Sequence, residues 1–241
     1  MDRLALSKCT IILVNGLWMR AALTPPNAHT PPEKRFVPDW RERFTLAVIP
    51  FHGMFKMMYW LAGLVEVLAI LATSHPDFAI SRSILRLLHA SNIHQSKLIG
   101  TLQPFFVIGT LMMWLGGSLR LYAYRTLGRH FTFQLAIHPD HVLVDYGPYS
   151  IVRHPSYTGL IMLLAGAFVS NVEGSWVRES GILDYLVVRL LLAGWVLVLL
   201  GIVVSLVLRV TNEDRLMKGE FEKEWVAWAK KVPYRLIPLV Y

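Results

Sequence analysis

The amino-acid sequence predicts an all-α integral membrane protein with about five transmembrane helices. Hydrophobic residues make up 54% of the 241 residues and charged residues only 17%, and the mean hydropathy is +0.45. Soluble domains carry about a quarter charged residues, so this balance indicates a lipid environment. The apolar residues also lie in runs of about 20, the length that a helix needs to cross the hydrocarbon. A closed membrane barrel would need apolar and polar residues to alternate, and these runs do not alternate.

Five stretches are predicted to cross the membrane as helices. They cover residues 4–23, 44–73, 98–124, 157–172 and 183–208. The first contains Lys8 and Arg20, so it could instead lie on the membrane surface, and the second is interrupted by charges such as Glu66. The third is apolar except at its end, and the fourth is short. The fifth is the strongest, and its Arg189 lies near one end, where the long side chain can reach the headgroups.

The connecting segments indicate a single membrane domain over residues 1–241, with no internal repeat. Residues 1–124 form its N-terminal helices, with a stiff proline-rich linker at residues 24–35. Residues 125–153 form a turn-rich loop, because prolines and glycines interrupt helical structure there. After the fifth span the pattern becomes a charged amphipathic helix that ends near Lys231.

The positive charge of the chain predicts its orientation. The net charge is +8, and the basic residues lie in short segments that flank the apolar runs. This placement favours membrane orientation over nucleic-acid binding. Five alternating spans put the proline-rich linker, the 125–153 loop and the C-terminal tail on the more basic side. The positive-inside rule makes that side cytosolic, so the loop and the tail meet at one membrane face.

The sequence predicts no metal site. Cys9 is the single cysteine, which excludes an intramolecular disulfide and a site with several cysteine ligands. His141 and His154 lie in a loop without a nearby cysteine or paired carboxylates, which makes them poor metal ligands.

A first polar cluster covers residues 141–149 and 153–159. A Gly-Pro pair forces a turn in it, and Pro155 disfavours helix at His154, so a helix is expected to begin near Ser156. The loop could then direct His154, Ser156 and the free N–H groups of the helix at one ligand. Tyrosine and arginine are also common at the headgroup level, so an interfacial anchor remains an alternative.

A second polar cluster, residues 209–214, lies where the fifth span ends. Arg209 and Glu213 are four residues apart and therefore share a helix face. They could form an ordinary ion pair, or each could meet a ligand charge of opposite sign. The planar fork of an arginine suits a substrate carboxylate, and a carboxylate suits the ammonium group of a cofactor.

Taken in order, these motifs resemble the isoprenylcysteine carboxyl methyltransferase family, the endoplasmic-reticulum enzymes that methylate prenylated CaaX proteins. The shared pattern is H-x-L-V-x-x-G-x-Y, R-H-P-S-Y-x-G, R-x-x-x-E-[DE] and F-x-x-x-[YW], within a methyltransferase motif region at residues 134–239. The upstream T-P-P-N linker is similar to fungal members. Two positions depart from the family pattern: Asp214 replaces a frequent glutamate, and Glu222 replaces the usual glycine after Phe221.

The resemblance implies S-adenosylmethionine as cofactor, bound where the cytosolic loop and the C-terminal amphipathic helix meet. The implied cofactor contacts are Gln134, His141, Val142, Leu143, Val144, Tyr149, His154, Pro155, Ser156, Tyr157 and Glu213. It also implies that Arg209 binds the substrate carboxylate, which makes Arg209 and Glu213 the expected catalytic pair. The implied reaction is methyl esterification of the C-terminal carboxylate of a prenylated cysteine in CaaX-processed proteins.

The implied chemistry needs no general base, because a terminal carboxylate has a pKa of roughly 3.3–3.7 and is ionised at neutral pH. A phospholipid N-methyltransferase is the nearest alternative, although its amine nucleophile must be neutral to attack. A non-catalytic membrane scaffold is a second alternative. The expected partners are the prenylated protein C-terminus and the lipid bilayer, without nucleic acid, and the expected location is the endoplasmic reticulum with the active site facing the cytosol. The motifs specify no oligomeric state.

Overall fold

The structure is a computed structural model that describes residues 3–31, 33, 35–37, 39–88, 98–136 and 142–240. Within these ranges the chain is helical and contains no strand. The helices are α1 (Arg3–Ala22), α2 (Trp40–Val48), α3 (His52–Ser74), α4 (Ala79–Leu87), α5 (Pro104–Leu127), α6 (Pro155–Val169), α7 (Trp176–Glu179) and α8 (Leu186–Lys231). The predicted all-α class is confirmed.

Four helical segments in the described residues are long and apolar enough to cross a membrane. They are Arg3–Ala22, Trp40–Ser74, Pro104–His130 and Leu186–Lys231. The fourth predicted stretch, residues 157–172, corresponds to α6, which has 15 residues and falls short of the roughly 20 that a span needs. Helix α6 is short because Pro155 sets its beginning and the chain turns soon after Val169, where Gly174 adopts a φ of 64°.

The predicted fifth span and the predicted amphipathic helix form one element, α8, with 46 residues. Its regular conformation is interrupted at Glu222, where φ is 41° and ψ is −105°. Residues with a side chain rarely adopt a positive φ, whereas glycine does so without steric cost. Glycine would adopt this conformation at position 222 with less strain than glutamate does.

The chain forms two compact units. The first comprises Met1–Arg20, Met54–Trp114 and Leu163–Val198, and the second comprises Ala21–Gly53, Leu115–Met162 and Leu199–Tyr241. The single membrane domain over residues 1–241 remains a prediction. Its division into N-terminal helices and a motif region also remains a prediction.

The first unit contains a buried ion pair. Lys8 Nζ lies 3.2 Å from Glu66 Oε1 and donates to the carbonyls of Ile99 and Gly174 at 2.6 Å each. Glu66 also accepts the backbone N–H of Trp176. The charges that weakened the first two predicted spans are therefore partners, and each reduces the cost of burying the other.

The second unit contains all the polar residues of the two motif clusters that the structure describes. Three aromatic side chains near the C-terminal end of α5 pack together: Tyr124, Phe131 and Phe133. Trp228 of α8 packs with Val144 and Tyr149 of the loop, which fixes the amphipathic end of α8 against the motif region. The second unit is therefore the part of the molecule that positions the candidate site.

We predict opposite effects for two glycine substitutions on α8. Glu222→Gly should stabilise the protein by about 0.5–1 kcal/mol, because glycine relieves the strained positive φ. Glu220→Gly, at a regular exposed helical position two residues away, should destabilise it by about 1 kcal/mol. The apparent unfolding midpoint in detergent measures both effects. Equal losses of stability for the two variants would contradict the conformation of Glu222.

Candidate functional site

The beginning of α6 is held by the C-terminal tail of the protein. The backbone N–H of Arg153 donates to Tyr234 O at 3.0 Å, and that of His154 donates to Arg235 O at 2.9 Å. The hydroxyl of Thr158 donates to Leu236 O at 2.6 Å. The tail thus accepts hydrogen bonds from the two residues that precede α6, whose N–H groups have no partner within that helix. The backbone at the beginning of the R-H-P-S-Y-x-G motif is therefore fixed.

The glycine that ends this motif permits close packing of α5 and α6. A Cβ atom on Gly159 would lie 2.6 Å from Gly116 O and 2.8 Å from Arg120 N. Small residues allow such approach between helices in membranes. The packing brings the first turn of α6 next to Arg120.

Glu213 of α8 contacts the two aromatic side chains of the motif. Tyr157 Oη donates to Glu213 Oε2 at 2.6 Å, and His154 Nδ1 lies 3.7 Å from the same oxygen. The rings of His154 and Tyr157 stack with centroids 5.6 Å apart. The two motif clusters thus meet, and Glu213 remains partly exposed.

Asp214 joins the loop, α8 and the tail. His154 Nε2 lies 3.0 Å from Asp214 Oδ1, while Arg153 Nη2 and Arg235 Nε lie 3.5 and 3.4 Å from Oδ2. The carboxylate is buried, so these contacts are weakly screened by solvent. Asp214 therefore fixes the orientation of the His154 ring.

Arg209 is buried and paired with Glu42. Only 3% of the residue is exposed, and its Nε lies 3.0 Å from Glu42 Oε2. Its Nη1 donates to Phe133 O at 2.8 Å. Glu42 is fully buried, and its Oε1 accepts the backbone N–H of Leu135 at 3.1 Å. An ion pair between Arg209 and Glu213 was one of the two alternatives that the sequence left open, and the structure instead pairs Arg209 with Glu42 of α2.

The beginning of α2 is fixed to α8 by Asp39. The Asp39 side chain accepts the backbone N–H groups of Arg41 and Glu42 and so caps the helix. Asn212 Nδ2 donates to Asp39 Oδ2 at 3.0 Å, and this hydrogen bond lowers the pKa of the Asp39 carboxyl. Because the charged form is favoured, this stabilisation is present above the ordinary pKa and is lost on acidification.

A narrow cavity of ≈ 60 Å³ lies beside Arg209 in the second unit. Its apolar lining includes Phe44, Ile49, Phe131, Leu160, Ile202 and Leu206. Its polar lining includes Arg120, Tyr157 and Arg209. The cavity therefore combines apolar walls with two arginines, which is the chemistry that suits an anionic group on an apolar chain.

Arg120 comes from α5 and is 4% exposed. Its Nε donates to Ala22 O at 2.7 Å, and its Nη1 donates to Ser156 O and Ser156 Oγ at 2.9 Å each. Ser156, which was expected to face the cofactor, thus uses its hydroxyl and carbonyl as acceptors for an arginine.

The other predicted cofactor positions differ in how far they are buried. Val144 and Tyr149 are buried against Trp228, whereas Val142 is 57% exposed. Burial, and then the negative charge of Glu213, raise the pKa of Tyr149 above its ordinary value. Gln134 is buried, and its Nε2 lies 2.7 Å from His29 Nδ1 in the proline-rich linker.

Three predicted positions remain. Leu143 packs partly buried against the cluster around Trp228, and Pro155 is among the fully buried side chains. His141 lies outside the described residues.

Sequence reasoning missed Glu42 and Arg120. Arg120 carried a signal, because a charged residue inside a long apolar stretch is a functional candidate by default. Glu42 carried none, since it stands between two arginines in a polar segment and resembles a solvated acid.

Comparisons with known proteins agree with the motifs. Residues 107–173 match the model of the isoprenylcysteine carboxyl methyltransferase family. "Probable protein-S-isoprenylcysteine O-methyltransferase" of Oryza sativa subsp. indica is 27% identical over 132 residues, which cover 52% of this chain and 68% of the relative. Protein-S-isoprenylcysteine O-methyltransferase B of Arabidopsis thaliana is 32% identical over 127 residues, covering 52% of this chain and 55% of the relative.

A fungal relative matches in the same way. Protein-S-isoprenylcysteine O-methyltransferase of Schizosaccharomyces pombe is 34% identical over 123 residues, covering 47% of this chain and 49% of the relative. The alignments thus span about half the length of the Arabidopsis and fission-yeast relatives. No solved structure matches the chain. These matches confirm the resemblance to the isoprenylcysteine carboxyl methyltransferase family that the motifs predicted.

We predict that Asp214→Asn loosens the C-terminal tail. The amide removes the negative charge that meets Arg153, His154 and Arg235, at a cost of roughly 1–3 kcal/mol. Backbone hydrogen exchange over residues 232–236 should therefore rise, and the apparent unfolding midpoint should fall. Glu220→Gln, an exposed acid on the same helix, is the matched control and should change neither. Unchanged exchange in Asp214→Asn would contradict the role of Asp214.

Proposed function

We propose that this chain catalyses the S-adenosylmethionine-dependent methyl esterification of the C-terminal carboxylate of a prenylated cysteine in CaaX-processed proteins. The observation that carries the proposal is the arrangement on α8, where Arg209 lines an apolar cavity and Glu213, one turn on, bonds to Tyr157 of the motif loop. The names of the relatives support the same reaction.

Arg209 would bind the substrate carboxylate. Its Nε faces Glu42 and its Nη1 donates to Phe133 O, so Nη2 is the nitrogen that a substrate oxygen would meet. One nitrogen holds a carboxylate less tightly than the two-nitrogen fork that arginine can offer. This weaker contact favours the reaction, because it leaves a lone pair of the carboxylate able to attack.

Glu213 and its neighbours fit the charges of the cofactor. Glu213 is partly exposed and accepts a hydrogen bond from Tyr157, which leaves lone pairs for the ammonium group of S-adenosylmethionine. Tyr157 and His154 orient the Glu213 carboxylate, and Asp214 orients His154. The bound cofactor supplies a methyl group carried on a cationic sulfonium.

The remaining contribution of the protein is positioning. A carboxylate is ionised at neutral pH, so the site needs no base and must bring the nucleophile within about 3–3.5 Å of the methyl carbon. The apolar walls of the cavity, such as Leu160 and Leu206, exclude water from this space. A desolvated carboxylate is a stronger nucleophile than a hydrated one.

The prenyl chain would enter from the bilayer. The cavity is lined by residues of α5, α6 and α8, the helices between which the substrate is expected to pass. At ≈ 60 Å³ the cavity is too narrow for a farnesyl group, so entry requires apolar side chains such as Phe44 to move. The location that we propose is the endoplasmic-reticulum membrane with the site facing the cytosol, on the side of the basic loop and tail.

A phospholipid N-methyltransferase is the second candidate, because two arginines beside apolar walls also suit a lipid phosphate. A non-catalytic scaffold is the third. An assay of methyl acceptors separates the three candidate functions, because each function predicts a different methyl acceptor or none.

We predict that the purified protein in detergent transfers labelled methyl groups from S-adenosylmethionine to N-acetyl-S-farnesylcysteine and not to phosphatidylethanolamine. Arg209→Ala should lower kcat/KM by roughly 100-fold or more, because it removes the carboxylate contact and leaves Glu42 buried without its partner. Arg215→Ala, an exposed arginine on the same helix, should retain full activity. Labelling of the phospholipid alone would replace the proposed substrate, and normal turnover by Arg209→Ala would remove Arg209 from its role.

We predict that Glu213→Gln weakens binding of S-adenosylhomocysteine by roughly tenfold, because a charged contact to the ammonium group is lost. Isothermal titration calorimetry on the purified protein measures the change. Glu220→Gln should bind with the affinity of the unmodified protein. Equal affinity in Glu213→Gln would contradict cofactor binding by Glu213, and absence of binding in the unmodified protein would support the scaffold.

A further inference from the structure

We propose that Arg120 is a second substrate-binding residue and the one that makes the cavity attractive to an anion. This inference rests on the proposed function and names a cation that lies outside the motifs.

The charge of Arg209 is already balanced inside the protein. Glu42 Oε2 lies 3.0 Å from Arg209 Nε, and the side chains are 0% and 4% exposed, respectively. Because the two opposite charges are this close and both buried, the pair produces little net electrostatic potential in the cavity. Arg209 can therefore offer a hydrogen bond to a ligand, but it adds little net attraction for a negative charge.

Arg120 has no such balance. Its hydrogen-bond acceptors, Ala22 O, Ser156 O and Ser156 Oγ, are all neutral. Among the described residues, no aspartate or glutamate forms a salt bridge with Arg120. Glu42 balances Arg209, and Glu213, the other nearby acid, is assigned to the cofactor ammonium group by the proposed function. The positive charge of Arg120 is therefore the one at the cavity that has no carboxylate partner.

The position of Arg120 suits a shared anion site with Arg209. The Arg120 guanidinium lies 5.3 Å from the ring centroid of Phe133, and Arg209 donates to the carbonyl of the same residue. The Arg120 guanidinium also lies 5.1 Å from the ring centroid of Tyr124. These ring faces stabilise the cation without cancelling its charge, so its field acts on whatever enters the cavity.

A buried cation without a carboxylate partner is costly, and an anionic ligand removes that cost. The carboxylate of a prenylated cysteine supplies one negative charge, and its apolar chain matches the remaining walls. The methyl ester is neutral and gains nothing from Arg120. The protein should therefore bind the substrate acid more tightly than the ester product, which favours release after methyl transfer.

The test compares binding of N-acetyl-S-farnesylcysteine with binding of its methyl ester, by calorimetry on the purified full-length protein in detergent. The unmodified protein should prefer the acid. Arg120→Gln should weaken acid binding by roughly ten- to one-hundredfold while ester binding changes by less than about threefold. Arg120→Lys, which keeps the charge, should retain most of the preference for the acid.

Arg120→Lys keeps the proposal testable if Arg120→Gln does not fold. If Arg120→Gln binds neither the ester nor S-adenosylhomocysteine, the folded Arg120→Lys variant decides the question. A retained preference for the acid in that variant would support the role of the positive charge, and equal binding of acid and ester would contradict it.

Two results would overturn the inference and leave the proposed function intact. The first is an unchanged acid-to-ester ratio in Arg120→Gln. The second is a loss of S-adenosylhomocysteine affinity in Arg120→Gln with acid binding unaffected, which would assign Arg120 to the cofactor carboxylate. Failure of the unmodified protein to bind the acid and to transfer methyl would instead overturn the proposed function itself.

Discussion

The contact between Glu42 and Arg209 is the interaction on which the candidate site depends. A guanidinium and a carboxylate that are both removed from water stabilise the fold only when each satisfies the other. The pair also joins two distant parts of the sequence, since Glu42 lies in α2 and Arg209 lies in α8. The hydrogen bonds to Leu135 N and Phe133 O extend this connection to the segment after α5. Arg209 therefore has a fixed position before any ligand arrives.

Asp214 performs the same task for the other half of the site. Its contacts with Arg153, His154 and Arg235 hold the motif loop, α8 and the tail together. Neighbouring acids in the sequence thus have separate roles, because Glu213 is partly exposed and Asp214 is buried. The buried acid organises the protein, and the accessible acid is available to a ligand.

The sequence predicted the helical class and the meeting of the two motif clusters, because these follow from hydropathy and from residues close together in the chain. Four of its five predicted spans correspond to the long apolar helices of the described residues. It could not predict that Glu42 pairs with Arg209, since nothing local marks an acid between two arginines as buried. The fourth predicted stretch, residues 157–172, was expected to be short, and α6 has 15 residues because Pro155 sets its beginning and the chain turns after Val169. The role of Ser156 depends on Arg120, which only packing against Gly159 brings near it.

The pairing of Lys8 with Glu66 has a consequence for how the protein is made. Synthesis of α1 precedes that of α3, so the ammonium group of Lys8 has no carboxylate partner until the chain has grown beyond Glu66. An unpaired ammonium group is costly to bury. Burial of Lys8 in the first unit therefore depends on the synthesis of α3.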